Sequence, residues 1–330
     1  MLNIPLTEKQ QILTDSFQRK HDYLRISLID KCNLRCHYCM PNDLTSVYRN
    51  DQLMNPEEIF HIAEIFVKLG VNKIRLTGGE PLVRKDFKEI LKMIGSLGIK
   101  LCLTTNGILI DRHIDDLEAS GLKSTNVSLD TLRRDRYYSI TQRDDFEKVI
   151  ENINLLIHRN FHVKINVVVM KNINEDELND FVELTENLPI HVRFIEFMPF
   201  DGNAWTSGKV VSYAEMLNRI SVVYDLEKLE DPAHSTSKKY KVPGFKGSFA
   251  FITTMTTPFC SDCNRLRLTA DGKMKNCLFS NNEVDLLGAY RMGQDLEMLI
   301  HKCVMNKKAT LGGQTDPDHF ENRSMILIGG

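Results

Sequence analysis

Short apolar runs alternate with longer amphipathic stretches over the first two hundred residues of the chain. Runs rich in Ile, Val and Leu predict six β-strands, at 23–29, 73–77, 100–105, 124–129, 163–169 and 191–197. Apolar residues spaced three and four apart predict helices between them, at about 56–67, 86–97, 111–120, 146–159 and 175–188. Strands that alternate with helices indicate an α/β fold with a parallel sheet.

This alternation predicts a partial (β/α)6 TIM-like barrel, because six units are fewer than the eight of a complete barrel. A doubly wound sheet is the alternative that the same pattern allows. The rhythm ends near Phe200, and the polar stretch 227–243 is interpreted as a linker or surface loop. Strand-like pieces follow at 248–254 and 265–269, and a helical tail begins at Leu286. We therefore divide the chain into an N-terminal extension, a barrel core and a C-terminal region, at 1–20, 21–226 and 227–330.

Composition and charge exclude several classes of protein. Of the 330 residues, 42% are apolar and 26% are charged, which is typical of a globular chain. Lys and Arg total 42 against 44 for Asp and Glu, so the chain lacks the basic excess of a nucleic-acid-binding protein. No apolar run reaches the ~18 residues of a membrane span, and the first 20 residues have no apolar signal core. We therefore expect a cytoplasmic protein without nucleic-acid or membrane partners.

Eight cysteines in a cytoplasmic chain favour metal binding or catalysis over disulfides. Cys102 lies in an apolar run where we expect it to be buried, and Cys303 has no partner by sequence. The other six form two groups of three, namely Cys32, Cys36 and Cys39, and Cys260, Cys263 and Cys277. Closed zinc sites and iron–sulfur clusters use four protein ligands, so each triplet predicts a metal centre with one open position. A zinc site remains the alternative, although it needs a fourth ligand, and His234 and His301 are distant in sequence from the second triplet.

Cations inside apolar strands indicate the chemistry of the ligand. Six of them interrupt or alternate along strand-like runs, namely Arg25, Arg75, Lys164, Arg193, Arg265 and Arg267. If helices cover the outside of the sheet, these side chains point into the barrel, where a buried cation needs an anion. Arginine suits bidentate recognition of phosphate, so the barrel is predicted to hold a polyanion. The alternative is that the cations pair with internal carboxylates such as Asp130 and Glu196. The chain has no P-loop and no Rossmann glycine motif.

Two motifs directly follow predicted strands. Residues 32–39 contain CxxxCxxC after the first strand, and residues 77–81 read TGGEP after the second. In these places the motifs resemble the radical S-adenosylmethionine (SAM) superfamily. The resemblance implies that the first cysteine triplet holds a [4Fe–4S] cluster whose open iron binds SAM, and that Glu80 offers an acceptor for the methionyl amine. It also implies SAM contacts at Tyr38, Gly79, Ser128 and Met198.

Further motifs narrow this resemblance to one family. The sequences NVSLD at 126–130, FIEFM at 194–198, FCxxCNRxRLTxDG at 259–272 and the terminal Gly329-Gly330 are together similar to the GTP 3′,8-cyclase family. That family catalyses the first step of molybdenum cofactor biosynthesis. The resemblance therefore implies a lyase that converts GTP to (8S)-3′,8-cyclo-7,8-dihydroguanosine 5′-triphosphate. In this chemistry a 5′-deoxyadenosyl radical abstracts the 3′ hydrogen of GTP, and the ribose radical adds to guanine C8. No side chain is a catalytic residue, because the cofactor carries the radical.

The same resemblance assigns the remaining sites. It implies a second [4Fe–4S] cluster on the second cysteine triplet, with guanine on its open iron, so that the C-terminal region is a cluster-binding extension of the barrel. GTP contacts are implied at Arg25, Arg75, Thr104, Lys164, Arg265 and Arg267. The Gly-Gly tail is expected to reach into the active site. The predicted partners are cyclic pyranopterin monophosphate synthase, which would take the product, and a second copy of the chain in a homodimer.

Two other functions remain open at this point. A radical SAM peptide-modifying enzyme with an auxiliary iron–sulfur cluster would share the first half of the chain, but it would not need so many cations in the barrel. A zinc-stabilised binding protein without catalysis would contain zinc and no labile sulfide.

Overall fold

The computed structural model of the chain describes residues 12–40 and 48–329. Residues 1–11 of the N-terminal extension and Gly330 of the tail lie outside the described residues. All six predicted strands are present, as β1 (Tyr23–Ser27), β2 (Lys73–Thr77), β3 (Lys100–Thr105), β4 (Ser124–Ser128), β5 (His162–Val169) and β6 (His191–Glu196). Each pairs in parallel with the next along the chain. The βα units therefore form one continuous parallel sheet.

The C-terminal region extends this sheet at both edges. Strand β9 (Ser248–Ile252) pairs in parallel with β6, and strand β10 (Arg265–Leu268) pairs in parallel with β1. Beyond β9 lie β8 (Lys238–Lys241) and β7 (Glu227–Lys228), and beyond β10 lie β11 (Lys273–Lys275) and β12 (Val284–Asp285). Within residues 12–40 and 48–329 no hydrogen-bonded pair joins the two outer strands. The sheet is thus an open, partial TIM-like barrel, and the predicted α/β fold class is confirmed.

Helices cover the outer face of the sheet. They are α1 (Pro56–Lys68), α2 (Phe87–Gly95), α3 (Ile110–Ala119), α4 (Arg134–Thr141), α5 (Phe146–His158), α6 (Leu178–Asn187) and α7 (Tyr213–Ser221). Helix α1 begins at a capping box, in which the side chain of Asn55 accepts from the Glu58 N–H and the Glu58 carboxylate accepts from the Asn55 N–H, each at 2.8 Å. Its residues Ile59, Ile62 and Phe66 are fully buried in the core between helices and sheet.

Three features of the fold were not predicted from the sequence. Helix α4 buries only three residues, so its apolar periodicity is weak, and α7 falls where the βα rhythm ends. The polar stretch 227–243 is not only a loop, because it contains β7 and β8. Strand β8 pairs antiparallel with β9, and Tyr240 of β8 stacks on Phe249 at 5.9 Å between ring centroids.

The last part of the chain packs beside the first helices and then turns back to the barrel. Helix α8 (Leu286–Arg291) joins α1 through Arg291, which forms an ion pair with Glu58 at 2.7 Å. Helix α9 (Leu296–Met305) follows, and the short α10 (Met325–Ile328) carries the tail to the C-terminal ends of β1 and β2. The fold therefore brings the described end of the tail, at Gly329, to the barrel.

Candidate active site

The first cysteine triplet lies in the loop after β1, at the C-terminal edge of the sheet. Cys32, Cys36 and Cys39 are each partly exposed. Two N–H donors face the sulfur of Cys32, from the Leu34 backbone at 3.4 Å and from Asn106 Nδ2 at 3.7 Å. The loop therefore presents three thiols that are open to a ligand. One of them, Cys32, already has two N–H donors beside its sulfur.

The chemistry of these thiols fits a metal cluster. Burial and the negative groups nearby raise the pKa of Cys32 to about 11 and that of Cys39 to about 12, and they raise the pKa of Cys36 well above its usual value. In the absence of a cation the three sulfurs keep their protons at neutral pH. A bound iron centre would replace those protons, because thiolates are stable in such a site only when a metal compensates their charge.

Gly78 and Gly79 let the loop after β2 approach the cysteine loop closely. The Gly79 N–H donates to the Ile29 carbonyl at 2.6 Å, and the Glu80 N–H donates to the Lys31 carbonyl at 2.8 Å. A Cβ atom on Gly79 would stand 2.4 Å from the Lys31 carbonyl oxygen, so only glycine fits there. The two loops form a narrow cradle beside the cysteines.

Glu80 is buried next to this cradle, and its carboxylate fixes the neighbouring loops through hydrogen bonds. Its carboxylate accepts hydrogen bonds from Leu82 N at 3.0 Å, Thr105 Oγ1 at 2.8 Å and Asn106 N at 2.7 Å. Burial raises the pKa of Glu80 to about 7. The carboxylate therefore links the ends of β2 and β3, in addition to any contact with a ligand.

The other residues expected to contact SAM lie at the same edge of the sheet. The hydroxyl of Tyr38 donates to Asp130 Oδ2 at 2.6 Å, so this aromatic ring is fixed and is not a free surface group. Ser128 is the last residue of β4, and Met198 follows β6 and lines the barrel cavity. Together with Gly79 these residues surround the opening of the barrel that carries the first triplet.

A cavity of about 720 Å³ occupies the interior of the barrel. Its lining includes eight lysines and arginines, namely Arg25, Lys73, Arg75, Lys164, Arg193, Lys239, Arg265 and Arg267. Among the described residues only one carboxylate, Asp22, lines it, and this group already accepts from Asn72 and Asn264. Thr104 is outside the lining, with its hydroxyl 3.4 Å from Arg75 Nη1. The cavity therefore has a large excess of positive charge.

Neither Arg75 nor Arg193 has a carboxylate among its hydrogen-bond partners in the described residues. Arg75 donates to Tyr23 Oη and to the Leu103 carbonyl, each at 2.6 Å, and Arg193 donates to Asn166 Oδ1 at 2.5 Å. The buried Nε groups of Arg193 and Arg265 have no partner in the described part of the chain. Burial and the other cations lower the pKa of Lys164 to about 8 and that of Arg193 to about 9. Such a cavity favours an anionic ligand.

The alternative pairing with internal carboxylates is wrong for both carboxylates that the sequence suggested. Asp130 accepts from Tyr38 and from the Val168 N–H. Glu196 accepts from the backbone of Tyr213, Met255 and Thr256 and from the Thr256 hydroxyl. Both carboxylates are used to fix loops, and in the described residues neither forms an ion pair with a cation of the cavity.

The second cysteine triplet lines the same cavity, and all three residues are partly exposed. Two cations approach Cys263, with Lys307 Nζ at 3.5 Å and Arg265 Nη2 at 3.7 Å from its sulfur. Burial alone would raise the pKa of Cys263, but these positive charges lower it to about 6. The Leu311 N–H faces the sulfur of Cys260 at 3.5 Å. Two of the three sulfurs thus have donors beside them, which fits an anionic iron–sulfur cluster.

The two triplets lie at opposite ends of the barrel. Strand β10 is parallel to β1, with Arg265 opposite Tyr23 and Arg267 opposite Arg25. Cys263 precedes β10, whereas Cys32 follows β1, so the length of β1 separates them, ~16 Å for five residues. Among the described residues no three Cys, His, Asp or Glu side chains are grouped so as to hold a single metal ion.

One histidine is closer to the second triplet than the sequence suggested. The backbone N–H of His234 donates to the Asp262 carboxylate, and its imidazole Nδ1 lies 2.7 Å from an oxygen of the same carboxylate. Asp262 lies between Cys260 and Cys263 in a 3-10 turn. The fold brings the loop before β8 over this turn, which spacing along the chain does not reveal.

Other residues of the site carried no motif. Lys73 stands two positions before Arg75 on β2, so strand alternation could have indicated that it points into the cavity. Lys307 and His191 gave no sequence signal, because their position depends on how distant elements pack. The Gly329 carbonyl accepts from Arg267 Nη1 at 2.7 Å, which brings the described end of the tail to the cavity wall.

Family comparisons agree with this geometry. A model described as the Radical SAM superfamily matches residues 26–185, and a model described as Molybdenum Cofactor Synthesis C matches residues 190–312. The solved structure of Streptococcus suis SuiB bound to S-adenosylmethionine has a similar fold, with a TM-score of 0.62, 17% identity, and coverage of 86% of this chain and 67% of that one. The open barrel and the cysteine loop after β1 define a radical SAM protein, whose superfamily implies a [4Fe–4S] cluster and SAM as cofactors.

Curated relatives narrow the class further. The mitochondrial GTP 3′,8-cyclase of Arabidopsis thaliana is 47% identical over 97% of this chain and 84% of its own length. The GTP 3′,8-cyclase of Alkaliphilus oremlandii is 40% identical over 96% of this chain and 100% of its own length. The chain belongs to the GTP 3′,8-cyclase family.

The length of the match differs among the relatives. Molybdenum cofactor biosynthesis protein 1 of Dictyostelium discoideum is 47% identical over 98% of this chain but over 53% of its own length. The chain thus spans about half the length of several curated relatives that it matches. In the described residues no helix has the length and apolar character that crossing a membrane requires.

Proposed function

We propose that this chain is a GTP 3′,8-cyclase, a SAM-dependent lyase that acts in the first step of molybdenum cofactor biosynthesis. The single observation that carries the proposal is the cation-rich cavity of the barrel, which the second cysteine triplet lines, with the first triplet at the opposite end of the barrel. Its volume of about 720 Å³ lies within the range of small-molecule sites and would accommodate a nucleotide beside a cofactor. Family membership adds the name of the reaction, because the curated relatives include proteins called GTP 3′,8-cyclase.

The first triplet would hold one [4Fe–4S] cluster, with SAM in the cradle of Gly79 and near Tyr38, Ser128 and Met198. When bound, this cluster and SAM supply the radical that abstracts the 3′ hydrogen of GTP. The chain's own residues orient the nucleotide and keep water from it. Glu80 would hold the cradle in place, because its carboxylate joins β2 and β3 whether or not it also accepts from the methionyl amine.

The second triplet would hold a second [4Fe–4S] cluster that leaves one iron for guanine. Arg25, Arg75, Lys164, Arg265 and Arg267 would contact GTP, and Thr104 would act through Arg75. The triphosphate would offer phosphate oxygens to these cations. Since Arg25 stands between Arg75 and Arg267 in the sheet, three guanidinium groups would share one phosphate chain.

Several expectations remain part of this proposal. The product would pass to cyclic pyranopterin monophosphate synthase, and two copies of the chain would form a homodimer. The division at 1–20, 21–226 and 227–330 and the cytoplasmic location stay predictions. A radical SAM peptide-modifying enzyme has less support, because the matches that cover most of the relative's own length are to proteins named GTP 3′,8-cyclase.

Anaerobic incubation tests the proposal. The reconstituted protein is mixed with SAM, dithionite and either GTP or ATP. The products are separated by chromatography and identified by mass and fragmentation, because the cyclised product has the same mass as GTP. We expect 5′-deoxyadenosine and a cyclised isomer of GTP with GTP alone. The Cys277→Ala variant should still cleave SAM but lose the cyclised product.

Cys102→Ala is the matched control, because Cys102 is a buried cysteine outside both triplets. This variant should retain cyclisation. Normal cyclisation by Cys277→Ala, or equal turnover of GTP and ATP, would contradict the proposed use of the second triplet. Zinc in place of iron, without labile sulfide, would contradict the radical chemistry altogether.

A further inference from the structure

The segment before β1 carries a buried arginine that the proposed function does not use. The side chain of Arg19 is 6% exposed and its partner Asp15 is fully buried. Their ion pair joins Arg19 Nε to Asp15 Oδ2 at 2.6 Å. A buried guanidinium is costly unless all its donors are used, so its partners show what it is there to hold.

The remaining donors of Arg19 converge on three backbone carbonyls. Nη1 donates to the carbonyls of Cys260 and Ala309, and Nη2 donates to that of Lys308, each at 2.8 Å. These oxygens would repel one another without a cation between them. The planar guanidinium, with five N–H donors, can join three carbonyls and one carboxylate in a way that lysine cannot.

Asp15 prepares the arginine for this contact. Its Oδ1 accepts from the backbone N–H groups of Phe17 and Arg19, at 2.9 and 3.0 Å, and its Oδ2 also meets His21 Nε2 at 3.1 Å. The carboxylate thus closes the 15–19 turn and aims the guanidinium at the second triplet. Short local contacts of this kind fix a side chain before any cofactor binds.

The segment tied down by Arg19 also contacts both sulfurs of the CxxC sequence. Lys307 Nζ lies 3.5 Å from the sulfur of Cys263, and the Leu311 N–H lies 3.5 Å from that of Cys260. Arg19 connects this 307–311 segment to the backbone of Cys260 itself. Hydrogen bonds and charges beside the sulfurs set the potential of an iron–sulfur cluster.

We propose that Arg19, oriented by Asp15, is a positioning residue that sets the donors around the second cluster and thereby its reduction potential. The inference rests on the proposed second cluster. Without the guanidinium, the 307–311 segment would move away from the CxxC turn, and an N–H donor and an ammonium group would leave the two sulfurs. The reduced, more negative cluster would lose stabilisation, so its midpoint potential would fall.

The test compares Arg19→Lys and Asp15→Asn with the unmodified chain, each reconstituted anaerobically. Iron and sulfide are counted, and the two clusters are titrated separately by electron paramagnetic resonance. Addition of SAM should change the signal of the first cluster. This change identifies that cluster and shows that the barrel of the variant is folded. We expect Arg19→Lys to lower the midpoint potential of the second cluster, or to reduce its occupancy, with the first cluster unchanged. Asp15→Asn should shift the second cluster in the same direction by less, because Asn still accepts from the two backbone N–H groups.

Arg291→Lys is the matched control. Its guanidinium also joins a carboxylate, that of Glu58, to backbone carbonyls, but it lies away from the cysteines. It should shift neither cluster. Equal second-cluster potential and occupancy in all four proteins would overturn the role of Arg19. An unmodified chain that takes up only one cluster would overturn the proposed function instead, so the two failures are distinguishable.

Discussion

Replacement of Gly79 by alanine tests whether the cradle beside the first triplet is set by space alone. Gly79 has no positive φ, so alanine meets no backbone strain there. The obstacle is the added methyl group, which would stand 2.4 Å from the carbonyl oxygen and 2.7 Å from the carbonyl carbon of Lys31. Both atoms belong to backbone and cannot rotate away. The two loops must therefore separate by roughly 1 Å to reach ordinary contact distance.

This separation has a cost that can be estimated. Overpacking of a tight site costs about 1–3 kcal/mol. It also weakens the two loop-to-loop hydrogen bonds, from the N–H groups of Gly79 and Glu80, each worth about 0.5–1.5 kcal/mol. Because 1.4 kcal/mol is a factor of ten, we expect the affinity for SAM to fall by about fivefold to a hundredfold. Lys31 is the neighbour of Cys32, so the cluster signal should broaden as well.

SAM is titrated anaerobically into the reconstituted variant. Binding is monitored by calorimetry or by the change in the cluster's paramagnetic spectrum. Gly208→Ala is the control, since the nearest atom to its added methyl group would be Thr206 Oγ1 at 3.9 Å. It should bind SAM as the unmodified chain does. If Gly79→Ala bound SAM within twofold of the unmodified chain, the cradle would not be limited by space, and the argument would fail.

Three further predictions follow from the cavity and its tail. Burial and nearby cations lower the pKa of His191 to about 3, so it is neutral in the folded state and takes a proton on unfolding below pH 6.5. Between pH 6.5 and 5.5 the unmodified chain should lose about 1 kcal/mol more stability than His191→Gln in urea titrations, and equal losses would contradict this. Arg193→Met removes a cation whose hydrogen-bond partner, Asn166, is neutral, so without ligand the variant should be more stable by about 1–3 kcal/mol. GTP should stabilise the variant less than the unmodified chain in thermal unfolding, and a variant that is less stable without ligand would contradict this prediction. Arg323 anchors the start of the tail through ion pairs with Asp271, at 3.0 Å, and with Glu283. Arg323→Met should therefore speed amide hydrogen exchange at 325–329, and unchanged exchange would mean that other contacts hold the tail.

Local sequence patterns were sufficient to predict the barrel, because the periodicity of strands and helices reflects which face of each element is buried. The run of β2 places Arg75 two residues after Lys73, so both point to one side of the sheet. The same alternation relates Arg265 to Arg267 on β10. The cavity's charge was therefore predictable once helices were assigned to the other side. The sequence patterns did not predict α4, because its apolar periodicity is low. They also did not predict the β7–β8 hairpin, because strands near the edge of a sheet carry polar residues that obscure the pattern.

By itself the sequence determined the two cysteine triplets, the glycine cradle and the cations of the strands, because each depends on spacing within a few residues. Only the tertiary structure decided that β10 pairs with β1, which puts the second triplet at the far end of the cavity and Arg267 beside Arg25. It also decided that Arg19 reaches Cys260, 241 residues further along the chain. Contacts of this kind depend on the packing of whole elements and on the need of each buried charge for partners, and no local pattern encodes which distant carbonyls will supply them.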